Sequence, residues 1–320
     1  MNYTDDGYAT MLLTMALSPD REEYAKPLGV QEFRQLEALT RKSELRRIGA
    51  LLNLDISGLM IYLGLPESEA YRAYTLLHRS VQLTYALEGF LRRGIDVVTC
   101  CDAEYPDRVR RRLGDAAPAF YYRCGNAGLL EMPVVAIMGI SGVRTTDEVR
   151  SAIEALVSGA AERGYAVATC GELGVSKIAA HFAAQYECPM IDVLGGGMAA
   201  LLDDEPTAIR IAGEQYAVLS TEHPEAMQTG VHAAMRNRLL LALSEAAFVF
   251  NTDARQRVAE AIQNRYCDWI YAWQGGEGCG ELVRRGAIPL GGLSGIDLAE
   301  MSRRWKDSGA EQLNMFDLLG

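Results

Sequence analysis

The sequence is short of positive charge and of long apolar runs, and each shortage removes a class of function. Against 42 Asp and Glu stand 31 Lys and Arg, a formal charge of −11. Proteins that coat duplex DNA neutralise its phosphates with Lys and Arg, so a broad DNA-covering face is excluded and any nucleic-acid site has to be local. No apolar stretch approaches the roughly 20 residues that cross a bilayer. The run from Ala9 to Leu17 follows Asp5 and Asp6 rather than basic residues, unlike an export signal. Seven cysteines (Cys100, Cys101, Cys124, Cys170, Cys188, Cys267 and Cys279) are present without any C-x-x-C spacing, so neither a zinc site nor a disulfide framework is indicated. They read as buried small hydrophobes in a reducing compartment. The expectation is a cytoplasmic protein with no metal, no cofactor and no membrane contact.

What is present is an ordinary folded composition: 320 residues, 49% hydrophobic and 23% charged. That length accommodates two domains, or one with an appendage, and buries a sizeable core. Up to about Phe90 apolar residues recur three and four apart, as in Leu36, Leu39, Leu45, Ile48, Leu51 and Leu52, which predicts a small helical domain over residues 1–90. Leu63-Gly64-Leu65-Pro66-Glu67-Ser68-Glu69 reads as a helix stop, a turn and a new start. Helices packed on one another are the expectation there. A DNA-reading helix pair is disfavoured because no basic recognition helix follows.

Beyond Gly94 the pattern changes. Ile95–Thr99 and Ala119–Arg123 are short β-rich runs. Apolar strands ending in small residues then alternate with helices: Val134–Gly139, Tyr165–Thr169, Met190–Leu194, Ala217–Ser220, Ala247–Phe250 and Trp269–Trp273. This predicts an α/β domain with a doubly wound, mostly parallel Rossmann-like sheet within residues 91–300. From Arg303 to Ala310 the chain reads as a loose linker, and 301–320 as a flexible tail.

In an open parallel sheet, ligands bind beyond the carboxyl ends of the strands. Gly139-Ile140-Ser141-Gly142-Val143-Arg144 stands at the first such position, where glycines permit close backbone approach to a phosphate and Arg144 adds charge. A tight strand-to-helix turn is the competing reading, since the G-x-G-x-x-G fingerprint is not met. At the second, Gly171 opens the turn, Ser176 is placed to cap the next helix, and Lys177 falls in its first turn, where a cation opposes the helix dipole. His181 reads as a packed core residue. Met235-Arg236-Asn237-Arg238-Leu239 puts two arginines at the expected start of a helix, near amides that bind anions.

These segments, in this order, resemble the DNA-processing protein A (DprA/Smf) family over about residues 85–290. The resemblance rests on Tyr105-Pro106, on Pro118 with the strand Ala119–Arg123 and Gly125, and on the loop Gly139-Ile140-Ser141. It continues through Cys170-Gly171 to Ala179-Ala180-His181, Arg236-Asn237-Arg238 with Leu243-Ser244, Tyr271–Gly275, and Gly280–Ala287. Departures mark a diverged member: Ser141 and Gly174 stand where the family has arginines, Lys177 and Asn251 where it has acids, and the loop at Asp253-Ala254-Arg255 is shortened. The resemblance implies a non-enzymatic protein that binds single-stranded DNA in a basic Rossmann pocket, dimerises, and helps load the RecA recombinase during natural transformation. It assigns DNA contacts to Arg236, Asn237, Arg238, Gly139, Ser141 and Gly171, with Arg144 and Lys177 restoring charge lost at positions 141 and 174.

Two further readings stand beside it. Gln274–Glu281 resembles the glycine-rich phosphate loop of lysine-decarboxylase-like nucleotide phosphoribohydrolases, with Glu281 as the acid, although its distance from Arg236 suits the DprA pattern better. At the end of the sequence, Gln312-Leu313-Asn314-Met315-Phe316 resembles the peptide by which bacterial replication proteins dock on the sliding clamp. Gln312, Leu313, Met315 and Phe316 would make the contacts and the preceding linker would supply reach.

Overall fold

The structure is a computed structural model that describes residues 3–18, 24–227 and 230–306. The tail peptide 312–316 therefore lies outside the described residues. In chain order the elements begin with α1 (Asp5–Thr14), α2 (Val30–Lys42), α3 (Ile56–Leu63), α4 (Glu67–Leu77) and α5 (Ser80–Arg92), followed by β1 (Ile95–Thr99), α6 (Asp107–Leu113) and β2 (Phe120–Gly125). They continue with β3 (Val134–Met138), α7 (Asp147–Glu162), β4 (Ala166–Thr169), α8 (Val175–Gln185), β5 (Met190–Leu194), α9 (Ala199–Leu202), α10 (Glu205–Ala212) and β6 (Tyr216–Ser220). The last are α11 (Gly230–Leu243), β7 (Ala246–Val249), α12 (Val258–Asn264), β8 (Trp269–Trp273), α13 (Cys279–Arg284) and β9 (Ile288–Leu290). The chain divides into two compact units, Met1–Ala127 with Leu194–Leu239, and Gly128–Val193 with Leu240–Gly320.

In the first unit the helical start follows local rules. Thr4 caps α1 through a bond from the Gly7 amide at 3.1 Å, and Asp55 caps α3 from Gly58 at 2.7 Å. Gly64, at φ +66°, ends α3 in the left-handed conformation open to glycine. Arg79 donates to the carbonyls of Leu12 and Met15, each at 2.6 Å, and so satisfies the end of α1. Arg72, the basic residue of α4, is spent on Glu32 at 2.7 Å and on the carbonyls of Lys26 and Pro27. With no basic residue on α3 either, the pair has no DNA-reading helix and packs as expected. Strands β1, β2 and β6 form an antiparallel set, with Val97 opposite Tyr122 and Tyr122 opposite Ser220. Arg123, nearly buried on β2, is held by Asp96 at 3.0 Å and Glu104 at 2.8 Å, so its charge is paired where burial would otherwise be costly.

The second unit holds six parallel strands in the order β5-β4-β3-β7-β8-β9. Every residue of β3 is fully buried, as a strand covered on both faces requires. β9 is not legible as a strand in the sequence. It is three residues long and carries Pro289, which lacks the ladder donor and is confined to an edge. Residues 298–306 are helical, so 303–306 are not linker: Ser302 donates to the Tyr165 hydroxyl at 2.7 Å and Trp305 to that of Tyr271 at 3.4 Å. No helix among the described residues is long and apolar enough to cross a membrane.

Candidate nucleic-acid interface

The first loop is built in the second unit, where β3 leaves the core at Gly139. A Cβ there would stand 2.6 Å from the Val175 side chain and 3.0 Å from Asn251 Oδ1, so only glycine lets the strand pass this close. The Ile140 amide donates to Asn251 Oδ1 at 2.5 Å, and Gln256 Nε2 donates to the Gly139 carbonyl at 3.2 Å. Both side chains come from the segment after β7, where Thr252 Oγ1 donates to Gln256 Oε1 at 3.0 Å. The loop is thus pinned from its buried side, while Ser141, Gly142 and Arg144 are exposed. Thr146 caps α7 from the Val149 amide at 3.3 Å, and Asp147 and Glu148 occupy its first turn, which makes that helix end acidic.

The second loop leaves β4 at Thr169, whose hydroxyl bonds Asp192 and accepts from the Gly171 amide at 3.1 Å. Gly171 is at φ +66° and exposed. The residue before α8 is Gly174 at φ +80°, ψ −123°, with no side-chain cap. Ser176 is not the cap; it sits inside the first turn, buried 3.5 Å from the Cys170 sulfur. At Gly174 the backbone holds a conformation in which an L side chain is strained. Lys177 is exposed in the first turn of α8, as expected. His181 is exposed rather than packed in the core; Ala179 and Ala183 on the same helix face inward and it does not.

Arg236, Asn237 and Arg238 belong to the first unit, whereas the β3 and β4 exit loops belong to the second. Helix α11 is described from Gly230, so the arginines lie in its second and third turns and not at its start. The sequence pattern starts this helix too late because Gly230, Val231 and His232 carry no clear cap signal. Arg236 is only 2% exposed and Asn237 1%. Arg236 Nε donates to Asn237 Oδ1 at 3.0 Å, and its Nη1 reaches to within 3.5 Å of where a Cβ on Gly195 would be. Arg238 is half-buried. The neighbouring turn is closely tied: Ser220 Oγ donates to the Gly196 carbonyl at 2.7 Å, and a Cβ on Gly197 would stand 2.1 Å from the Pro224 carbonyl oxygen.

The glycines after β8 have a packing reason. A Cβ at Gly276 would lie 2.1 Å from the Phe250 carbonyl oxygen, and one at Gly278 2.1 Å from that of Thr252. Glu281 is exposed and paired with Arg284 at 2.6 Å and Arg285 at 2.7 Å, which hold its carboxyl below the usual range. A carboxyl kept ionised this way is not set up to donate a proton. Among the described residues no group of three His, Cys, Asp or Glu side chains is arranged to hold a metal.

The sequence matches the DNA recombination-mediator protein A family over residues 96–267, more than half of the chain. The chain belongs to that family. A Mycobacterium tuberculosis protein described as a putative DNA processing protein DprA is 29% identical over 220 residues, covering 63% of this chain and 56% of the relative. The chain thus spans little more than half the length of that relative. Among solved structures, Streptococcus pneumoniae DprA superposes with a TM-score of 0.55 at 19% identity, over 85% of this chain and 98% of that one. Helicobacter pylori DprA, whose structure concerns its single-stranded DNA binding mode, superposes at 0.50 and 21% identity, over 67% of this chain and 96% of its own. At these identities the likeness establishes the DprA fold. The DprA match includes both the β3 and β4 exit loops and the Arg236-Asn237-Arg238 stretch.

Proposed function

We propose that this chain is a non-enzymatic, cytoplasmic single-stranded DNA-binding protein that acts in RecA-dependent recombination and natural transformation. The observation that carries the reading is the family match across 96–267, joined to the DNA binding named for the H. pylori relative. In the first unit Arg238 is the phosphate contact, and the buried Arg236–Asn237 pair holds the stretch that presents it. In the second unit Ser141, Arg144, Gly171 and Lys177 supply phosphate contacts, with the backbone after Gly139 approaching closely because its glycines leave room. No bond is broken; arginine forks and amides hold the backbone and leave bases unread. A homodimer, and partnership with RecA, belong to the same proposal. So does docking of 301–320 on the sliding clamp through Gln312, Leu313, Met315 and Phe316.

The test is a titration of fluorescent oligo-dT at two salt concentrations with the wild type, with Arg238→Ala, and with Arg144→Ala/Lys177→Ala. Each set of substitutions is expected to weaken binding and to lower the salt slope by about one for every phosphate no longer neutralised. Wild-type affinity in all variants, or no binding by the wild type at low salt, overturns the assignment. Clamp capture by the intact chain, abolished by Phe316→Ala, tests the tail separately.

A further inference from the structure

The seven cysteines divide into two kinds. Cys124, Cys170, Cys188, Cys267 and Cys279 are buried, and burial pushes the Cys279 thiol up to about 11. Cys100 and Cys101 are half-buried and adjacent, at the two corner positions of a turn that follows β1. The turn is closed by the Asp102 amide donating to the Thr99 carbonyl at 3.0 Å, and braced by Asp102 Oδ2, which accepts from the Thr99 amide at 2.7 Å and its hydroxyl at 2.8 Å. Two helices of the same unit meet the sulfurs. Arg34 of α2 donates to Cys100 Sγ at 3.7 Å, and Thr10 Oγ1 of α1 lies 3.5 Å from Cys101 Sγ. Arg110 Nη2 donates to the Cys100 carbonyl at 3.2 Å from outside.

We propose that Cys100 and Cys101 form a reversible redox site that closes to a disulfide between neighbouring residues when the protein meets hydrogen peroxide. Cys101 is the attacking sulfur. The neighbouring Cys100 thiol holds it below the usual thiol range, with Thr10 adding to that and burial and the charges of Asp6 and Glu37 opposing it. Cys100 is itself pushed up by its neighbour Cys101 and by burial, while the Arg34 charge works against that rise. The Cys101 thiolate attacks one peroxide oxygen, the O–O bond breaks, and the departing hydroxide takes up a proton to leave as water. Cys101 is then a sulfenic acid. The Cys100 sulfur, losing its proton beside Arg34, displaces hydroxide from the sulfenic sulfur; the S–S bond forms and the second water leaves. Two thiols have lost two electrons and two protons, and one peroxide has become two waters. Adjacent Cα atoms stand closer than in ordinary disulfides, so the bond is strained and readily reduced, as a switch requires. Closing it draws the sulfurs away from Thr10 and Arg34 and so loosens the grip of α1 and α2 on this turn.

The experiment treats the full chain with a small excess of hydrogen peroxide, blocks remaining thiols after unfolding, and reads intact mass and peptide maps. The expected product is lighter by two hydrogen atoms, leaves 100 and 101 unblocked while the five buried cysteines are blocked, and returns to the starting mass with a dithiol reductant. Cys100→Ser is expected to stop at a sulfenic acid on Cys101 that a dimedone probe captures, and Cys101→Ser to show neither product. Full blocking of Cys100 and Cys101 after peroxide overturns the proposal. So does direct passage of Cys101 to sulfinic acid in the wild type, or dimedone labelling that is equal in the two serine variants.

Discussion

At the scale of single residues, burial separates side chains that sequence motifs treat alike. Arg236 and Arg238 are two positions apart in one motif, yet Arg236 is 2% exposed and bonded to Asn237. Truncating Arg236 leaves buried polar atoms without their partner and removes its packed stem. Arg236→Ala is therefore expected to lower folding stability by about 2 kcal/mol in urea melts, whereas Arg238→Ala is expected to act on DNA binding. Glycines divide in the same way. Gly276→Ala sets a Cβ 2.1 Å from the Phe250 carbonyl oxygen and is expected to cost roughly 1–3 kcal/mol through forced backbone movement. Gly89, exposed within α5 with nothing within 4 Å of an added Cβ, is expected to gain roughly 0.5–1 kcal/mol on substitution by alanine. Thermal melts of the two variants, shifting in opposite directions, check the pair.

At the scale of elements, several helix starts are fixed by side-chain caps. Thr146 before α7 is one, and Asp204 before α10, which accepts from the Thr207 amide at 3.1 Å and hydroxyl at 2.8 Å, is another. Asp204→Ala is expected to cost about 1 kcal/mol of stability, and Asp204→Asn much less, measured by denaturant midpoint. Strand positions are legible to within a residue or two because buried runs such as Val134–Met138 are continuous and apolar. Strand partners are not. β6 looks like any parallel strand in sequence, and nothing local to it marks the antiparallel β2 as one of its neighbours. The three-residue β9 is too short to have a period.

At the scale of the whole molecule, titration joins distant groups. Arg72 bonded to Glu32 holds that carboxyl below its ordinary range, as the amides of Glu300 and Ala299 do for Asp297. Carboxyls depressed in the folded state stabilise it above their unfolded values near pH 4 and lose that contribution as pH falls through the folded values. On the alkaline side, burial raises Tyr3 to about 12 and also raises Tyr105 and Tyr121. Their contribution is full below the unfolded tyrosine value of about 10 and is lost as pH rises past it. Melting temperature is expected to be flat across neutrality and to fall on both limbs, and Tyr3→Phe to soften the alkaline limb. The charge of −11 likewise predicts a shallow salt dependence of DNA binding, since few phosphates are neutralised.

By itself the sequence determined the alternation of strands and helices, the glycine turns where strands end, and the family, because periodicity, turn chemistry and motif order are local along the chain. Only the tertiary structure decided that Arg236 is buried, that Asn251 and Gln256 pin the loop after β3, that His181 faces outward, and that Arg34 and Thr10 meet the sulfurs of Cys100 and Cys101. Each of those facts joins residues tens of positions apart or concerns which face of a helix is covered, and neither kind of information is carried by local spacing.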